Sequence, residues 1–381
     1  MRFTSAMENE PEKALWMILN GLSEVGPGTF RRLKEHFNGK INDIFLASYE
    51  ELSAIGGVSR KAVKHIIHWR DHFNIEEEQR QLTAANAKFF TQKDKNYPSL
   101  LREIYDAPIG LYMRGVLDLS RNHCIAIVGT RHATRYGLKI AWEFARELAS
   151  LNFTIVSGLA IGIDNAAHEG ALAAEGRTVA VVGSGVDVIY PRENKALYAK
   201  IAEHGSILSE FPMGKQVAKI TFPIRNRIMA GMCSHTIVIE SGSHGGSMIT
   251  ANIAKEYGRG IMAVPGYIGQ PESQGCHELI RRGATLVSCM DHILEALDYS
   301  RQQFFNWNEH EKISPPQENA LTDPIERCII SFLKERDAAS LDEISEVLAM
   351  PIHDLLSRIQ LLELRQLLRC DRDGNYIYCC H

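Results

Sequence analysis

The chain predicts a doubly wound, mostly parallel α/β sheet of Rossmann-like type, flanked by a helical segment before it and a smaller winged-helix-like segment after it. Three observations carry this. Strand-sized runs alternate with helical stretches such as 137–150 and 164–175; the runs are CIAIVG (124–129), FTIVSG (153–158), TVAVVG (178–183), SILSEF (206–211), HTIVIE (235–240), IMAVPG (261–266) and ATLVS (284–288). These runs are near-continuous in β-branched residues, as when both faces of a parallel sheet are covered. Glycines cluster just after several of them, where sheets of this kind gather their ligands. The sheet is expected over residues 85–298.

Residues 1–80 form a helical unit of helix-hairpin-helix or SAM-like character. Two stretches, SEVGPGTFRRL (23–33) and SAIGGVSRKAV (53–63), each place a glycine turn before a Ser or Thr that can cap a following basic helix. Such turns either meet a phosphate through their amides or simply connect two helices, and the residues leave both readings open. After the sheet, the polar stretch 299–320 with Pro315-Pro316 reads as a linker. Residues 321–381 then read as helices at 324–336, 341–349 and 351–368 with a ribbon around Asp373-Gly374, the order of a winged helix. That last unit has seven Lys/Arg against eleven Asp/Glu, a poor match to a phosphate backbone.

At 381 residues and 45% hydrophobic, the chain can bury a sizeable core in two or three domains. A net charge of −4 gives no global sign of nucleic acid, so any basic surface must be local. The eight cysteines include no C-x-x-C, which suits reduced intracellular thiols. Adjacent Cys379 and Cys380 beside His381 make a poor zinc set, so no metal is expected. The N-terminus has no apolar core of a signal peptide and no run is long enough to span a membrane; a cytoplasmic protein is expected.

The stretch IVSGLAIGIDNAAH (155–168) is a strand, a glycine-rich turn and a helix, an arrangement that holds a phosphate on backbone amides and the helix dipole. The phosphate could belong to a nucleotide, a dinucleotide or a nucleic acid. A dinucleotide fingerprint is missing, because Val188 stands where the third glycine belongs after Gly183 and Gly185. No G-x-x-x-x-G-K-[ST] occurs either, so no cofactor and no bound ATP are expected. The segment Lys215–Gly231, KQVAKITFPIRNRIMAG, carries Lys215, Lys219, Arg225 and Arg227 around Phe222, with no acidic residue between Glu210 and Glu240. Cations beside an aromatic suit single-stranded nucleic acid, which offers phosphates and unpaired bases together. A second cluster, GTRHATRY (129–136), brings Arg131, Arg135 and Tyr136 to another strand end. One such cluster would read as a solvated basic surface; two at one sheet edge favour the nucleic-acid reading.

GTR, SGLAIGIDNAAHEGAL, GSGVDVIYPREN, SEFPMG, FPIRNRIMAG, GGSMITANIAKEYGR, AVPG and LIRRGA, with NYPSLLREIYDAPIGLYMRG upstream, together resemble the DprA/Smf family of DNA-processing proteins. The likeness runs from about residue 88 to 290. It implies a non-enzymatic protein that binds single-stranded DNA and recruits RecA, helping RecA load onto DNA covered by single-strand-binding protein, in natural transformation and homologous recombination. It also implies a homodimer through the sheet domain. Residue by residue, it implies that Arg131 grips a phosphate bidentately, that Lys219 lines the groove and that Phe222 stacks a base. Of Arg225 and Arg227, one should face DNA and the other brace the loop. Gly129, Gly158, Gly162 and Ser247 allow close backbone approach, and Lys215 adds charge. At His277 the chain departs from the family's usual asparagine, and no role is assigned there.

Two other readings compete. VIESGSHGGSMITA also faintly resembles the strand end of Rossmann-like phosphoribohydrolases, with Glu240 as acid/base and Asp164 and His168, i and i+4 on one helix face, nearby. The plainer alternative is that Asp164 braces its own loop and His168 packs beside it. The third reading is a transcription regulator acting through the winged helix.

Overall fold

The structure, a computed structural model, describes residues 12–116, 119 and 123–298 and, with gaps, 324–378. The predicted linker lies outside the described residues. The chain divides into two compact units, one ending at Ser300 and the other beginning at Arg301.

The first unit opens with helices α1 (Glu12–Gly21), α2 (Pro27–His36), α3 (Ile41–Leu46), α4 (Tyr49–Ala54), α5 (Arg60–Ile67) and α6 (Ile75–Ala84). The expected hydroxyl cap forms at the second glycine turn, where Ser59 Oγ accepts from Ala62 N at 3.0 Å. It does not form at the first. Pro27 enters α2 with its φ already suited to a helix, Gly26 takes the capping position, and Thr29 falls inside the helix.

A nine-stranded sheet follows, in the order β1-β2-β6-β5-β4-β3-β7-β8-β9. Its members are β1 (Ala87–Thr91), β2 (Gly110–Gly115), β3 (Cys124–Val128), β4 (Thr154–Ser157), β5 (Thr178–Val181), β6 (Ser206–Ser209), β7 (His235–Val238), β8 (Gly260–Ala263) and β9 (Thr285–Leu286). From β6 to β9 all pairings are parallel, whereas β1 and β2 add an antiparallel edge. The seven parallel strands are the predicted runs. Neither β1 nor β2 stands among the β-branched runs, since AKFFT and GLYMRG carry none; β2 becomes a strand by pairing with the distant β6, as between Met113 and Leu208, and β1 by pairing with β2.

Helices α7 (Ser99–Glu103), α8 (Arg135–Ser150), α9 (Ile163–Ala173), α10 (Lys195–His204), α11 (Thr221–Met232), α12 (Gly246–Glu256), α13 (Gln274–Arg281) and α14 (Met290–Ala296) complete the unit. In α8, Ala141, Phe144, Ala145 and Leu148 recur at helical spacing and are buried against the sheet. Thr134 caps this helix, accepting from Gly137 N at 3.1 Å. The core of the N-terminal helices is continuous with that of the sheet. Trp16, Ile18, Leu33 and Ile66 join one buried cluster with Phe89 and Tyr112 of the antiparallel edge, with Val182 and Val186 of the loop after β5, and with Ile207 of β6.

Chain direction sets the position of the site. From β3 the sheet grows one way through β4, β5 and β6, then the chain returns to β7 on the other side of β3. The loops after β3 and β7 therefore part at the carboxyl end of the sheet and leave a crevice, the switch point where such folds bind ligands.

The second unit contains α15 (Pro324–Lys334), α16 (Leu341–Leu348) and a ribbon of β10 (Leu368–Cys370) with β11 (Tyr376–Tyr378), antiparallel. Ala339 and Tyr376 exchange two backbone hydrogen bonds of 3.0 and 2.7 Å. Leu355, Ile359 and Leu362 are buried with Ile329, Leu333 and Ile344. The helix expected over 351–368 does not reach its predicted end, because Leu368 already pairs with Tyr378. Asp373-Gly374 lie outside the described residues, between the two strands. Among the described residues, no helix is long and apolar enough to cross a membrane.

Candidate nucleic-acid interface

Arg131 stands at the head of the crevice, on the loop between β3 and α8, and is exposed. Its guanidinium lies 5.3 Å from the centroid of the Phe222 ring, a cation–π contact. Phe222, half-buried in the first turn of α11, has the Tyr190 ring 6.0 Å away and tilted by 47°. Arg131 and Phe222 are shared by two pockets. One, of about 70 Å³, reaches Gly158, Gly183, Tyr190 and Arg225. The other, of about 390 Å³, reaches Gly129, Asp164, Arg225, Asn226 and Ser247.

Below them lies a buried charge. Arg225 donates from Nη1 to Val181 O at 2.7 Å, and its Nε has no hydrogen-bond partner. Burial pushes its pKa down to about 10, with the Asp164 carboxylate opposing the shift, so it stays cationic at neutral pH. Asp164, raised by burial and held down by Arg225, accepts from Gly158 N at 3.1 Å and Ala160 N at 3.4 Å. The carboxylate thus braces its own loop, as the plainer reading of Asp164 has it, and sets beside the pockets a cation that solvent barely reaches. Gly158 leaves room for the Arg225 guanidinium, which would have to shift to admit a Cβ there. Gly162, at φ +94°, turns the chain into α9 in a conformation that side chains rarely adopt.

Arg227, two residues on from Arg225, is placed differently. It pairs with Glu210 through Nη2 and donates from Nη1 to Asp106 O at 2.5 Å. It lines neither pocket and acts as a brace. Ser247 is buried, donating to Ser241 Oγ at 2.8 Å at the start of α12. Gly129 sits against Ile163 and the Glu240 backbone. Lys215 and Lys219 are exposed on the loop between β6 and α11.

That loop is tied down at several points. Met213 N donates to Glu78 Oε1 at 2.9 Å and Gly214 N to the Asp187 carboxylate at 2.9 Å. Gly185 N donates to Lys215 O at 2.9 Å, and Asn20 Nδ2 to Glu210 O at 2.8 Å. Burial raises the Glu78 carboxyl above its ordinary pKa, against the lowering effect of the Met213 amide. Sequence reasoning missed Glu78, Asp187 and Tyr190. Nothing local marks them: Glu78 is 135 residues from the amide it holds.

The proposed acid/base trio is occupied with the scaffold. Glu240 accepts from Thr134 N at 2.9 Å and Thr134 Oγ1 at 2.6 Å, fixing the start of α8 behind Arg131. His168 is fully buried, with Nδ1 2.7 Å from Thr178 Oγ1, and burial pushes it down to about 3, so it is neutral. His277 Nε2 lies 3.0 Å from Gly266 O. Among the described residues, no group of three His, Cys, Asp or Glu is placed to hold a metal ion; Cys379, Cys380 and His381 are outside them.

A switch-point crevice with a buried cation below it and an arginine–phenylalanine pair at its mouth marks a Rossmann-like protein. The chain belongs to the DNA recombination-mediator protein A family, whose model matches residues 88–298. It is 33% identical over 387 residues to Protein Smf of Synechocystis, covering 93% of this chain and 95% of that one. It is 44% identical over 210 residues to DNA processing protein DprA of Streptococcus pneumoniae, covering 55% and 74%. The X-ray structure of that protein superposes with a TM-score of 0.65 at 35% identity, over 73% of this chain and 95% of that one. The structure of DNA processing protein A from Helicobacter pylori, described for its single-stranded DNA binding mode, superposes with a TM-score of 0.51 at 31% identity, over 57% and 99%.

Proposed function

We propose that this protein binds single-stranded DNA and promotes RecA loading during homologous recombination and natural transformation, acting in the cytoplasm as a homodimer through its sheet. The observation that carries the DNA reading is the Arg131–Phe222 pair above buried Arg225, a phosphate grip beside a stacking ring. The Helicobacter pylori relative, whose structure concerns single-stranded DNA binding, supports it; family membership supports the place in recombination. RecA and single-strand-binding protein are the protein partners this reading names. Chemistry at the site is not part of it, and Glu240, held by Thr134, does not favour a hydrolase. The test is a gel shift with single- and double-stranded oligonucleotides, with and without ATP, followed by RecA filament assembly on strands covered by single-strand-binding protein. Preference for the single strand, no effect of ATP and faster assembly are expected. Equal binding to both forms, or ATP hydrolysis above background, would defeat the reading.

The tethered loop gives a second expectation. Glu78→Ala leaves the buried Met213 amide unpaired, at a cost to the folded loop of about 1–3 kcal/mol, and should weaken single-strand binding. Glu78→Gln keeps an oxygen to accept that amide and should bind nearly as the parent. Titration of a labelled oligonucleotide separates the two.

The unit from Arg301 onward is read as a winged helix that contacts protein rather than DNA, since its charge over 321–381 is seven basic against eleven acidic residues. Deleting 321–381 should leave single-strand affinity within a few-fold of the full chain. Tight duplex binding by the isolated segment at physiological salt would count against this.

A further inference from the structure

Beyond the two pockets at Arg131 and Phe222 lies a third, of about 550 Å³, between the first turns of α8 and α9. It shares Arg131 and His132 with the 390 Å³ pocket, and Arg131 and Ile161 with the 70 Å³ one. Arg131 therefore stands where all three meet. Along α8, Leu138, Lys139 and Trp142 fall at i, i+1 and i+4 and line the new pocket together. Trp142 is half-buried, with the Arg146 guanidinium 5.0 Å from its ring. Leu138 and Ile161 leave 36% and 46% of their surface open, an apolar rim.

The chemistry is graded along the pocket. At one end are Arg131, His132 and the N-terminal turns of two long helices, which favour an anion. Two turns further along, Trp142 offers an aromatic surface, and Glu169, two turns into α9 from Gly162, disfavours phosphate there. A phosphate at the first end and a flat, uncharged ring at the second match one nucleotide.

We propose that this pocket is a second nucleotide subsite of the same single strand: the neighbour of the nucleotide on Phe222 sets its base on Trp142, with Arg131 gripping the backbone between the two bases. The inference rests on the single-stranded DNA reading above, and it adds Trp142 and Lys139 to the residues that contact the strand.

The indole reports on itself, because a stacked base quenches tryptophan emission. Trp16 and Trp69 are buried among the N-terminal helices at 1% and 4% exposure, and subtracting the emission of Trp142→Phe isolates Trp142 from every other tryptophan. The full chain is titrated with a labelled thymidine octamer and a trimer, following label anisotropy for binding and tryptophan emission for contact. The expected result is quenching of the Trp142 component that saturates together with octamer anisotropy, and Trp142→Ala weakening the octamer by about 5-fold or more, the lower bound for one lost base stack, and the octamer more than the trimer. If the octamer binds while the Trp142 component stays unchanged, the subsite is wrong and the Phe222 reading stands. If neither oligonucleotide binds, the DNA reading has failed and this one with it.

Discussion

Phe222→Ala is expected to weaken binding of a single-stranded oligonucleotide by about 1–3 kcal/mol, the worth of one base on an aromatic platform. Arg131→Ala should add a loss of a different kind, because it removes a phosphate contact. Its signature is salt dependence: the log–log slope of affinity against salt should fall by about 0.7 for each phosphate no longer held. The two losses should not simply add. Arg131 lies 5.3 Å from the Phe222 ring, so each side chain helps to place the other. Oligonucleotide titrations of both single variants and the double variant at several salt concentrations measure all three quantities. If both single variants bind as tightly as the parent, the strand does not lie in this crevice.

The second large effect concerns stability. Arg227→Met leaves Glu210 without its guanidinium in a place where both side chains are only 10% exposed. Removing one partner of a buried pair typically costs about 3–5 kcal/mol, since the remaining charge loses compensation. Burial already raises the Glu210 carboxyl, and Arg227 is the main force opposing that shift. In the variant only the raising influence remains, so the folded carboxyl titrates well above the unfolded value of about 4.3. Between those two values the folded state holds more protons than the unfolded one, and stability falls as pH rises. The variant should therefore be closest to the parent near pH 4–5 and fall away towards pH 8. Urea unfolding across that range reads the slope, and Glu210→Gln combined with Arg227→Met should recover much of the loss. A pH-independent difference would mean that Glu210 is not the group left exposed to the change.

The central sheet was legible because its signal is local. Near-continuous β-branched runs such as CIAIV and TVAV need no partner in sequence to be recognised, and glycines after several of the runs mark the ligand edge. What escaped depended on distance or on a competing local preference. GLYMRG becomes β2 only because β6 offers it a partner, and Thr29 lost its capping role to the proline two residues before it. At the site, Arg131 and Phe222 could be picked out as an exposed-type cation and an aromatic in separate clusters, and the fold brings them together. The different places of Arg225 and Arg227 could not be read. Their spacing along one helix is two residues, which turns them to different sides, and only the packed neighbours tell that one faces Asp164 and the other Glu210. Glu78 and Asp187 were invisible for a further reason: a carboxylate that holds a distant backbone amide has no sequence pattern at all.

The shared core of helices and sheet bears on how this chain can change over generations. Trp16, Leu33 and Ile66 are packed in the same buried cluster as Tyr112, Val186 and Ile207. The N-terminal helices are thus not a cassette that recombination between relatives could exchange freely. A graft from a distant relative would arrive with side chains shaped to another sheet, while Glu78 and Asn20, which hold the loop between β6 and α11, would leave with the segment removed. Drift in the helices and drift in the sheet face should accordingly be correlated, each accepted substitution narrowing what the other side tolerates. Lineages that discard the helices altogether would have to rebuild that face and find another anchor for the loop.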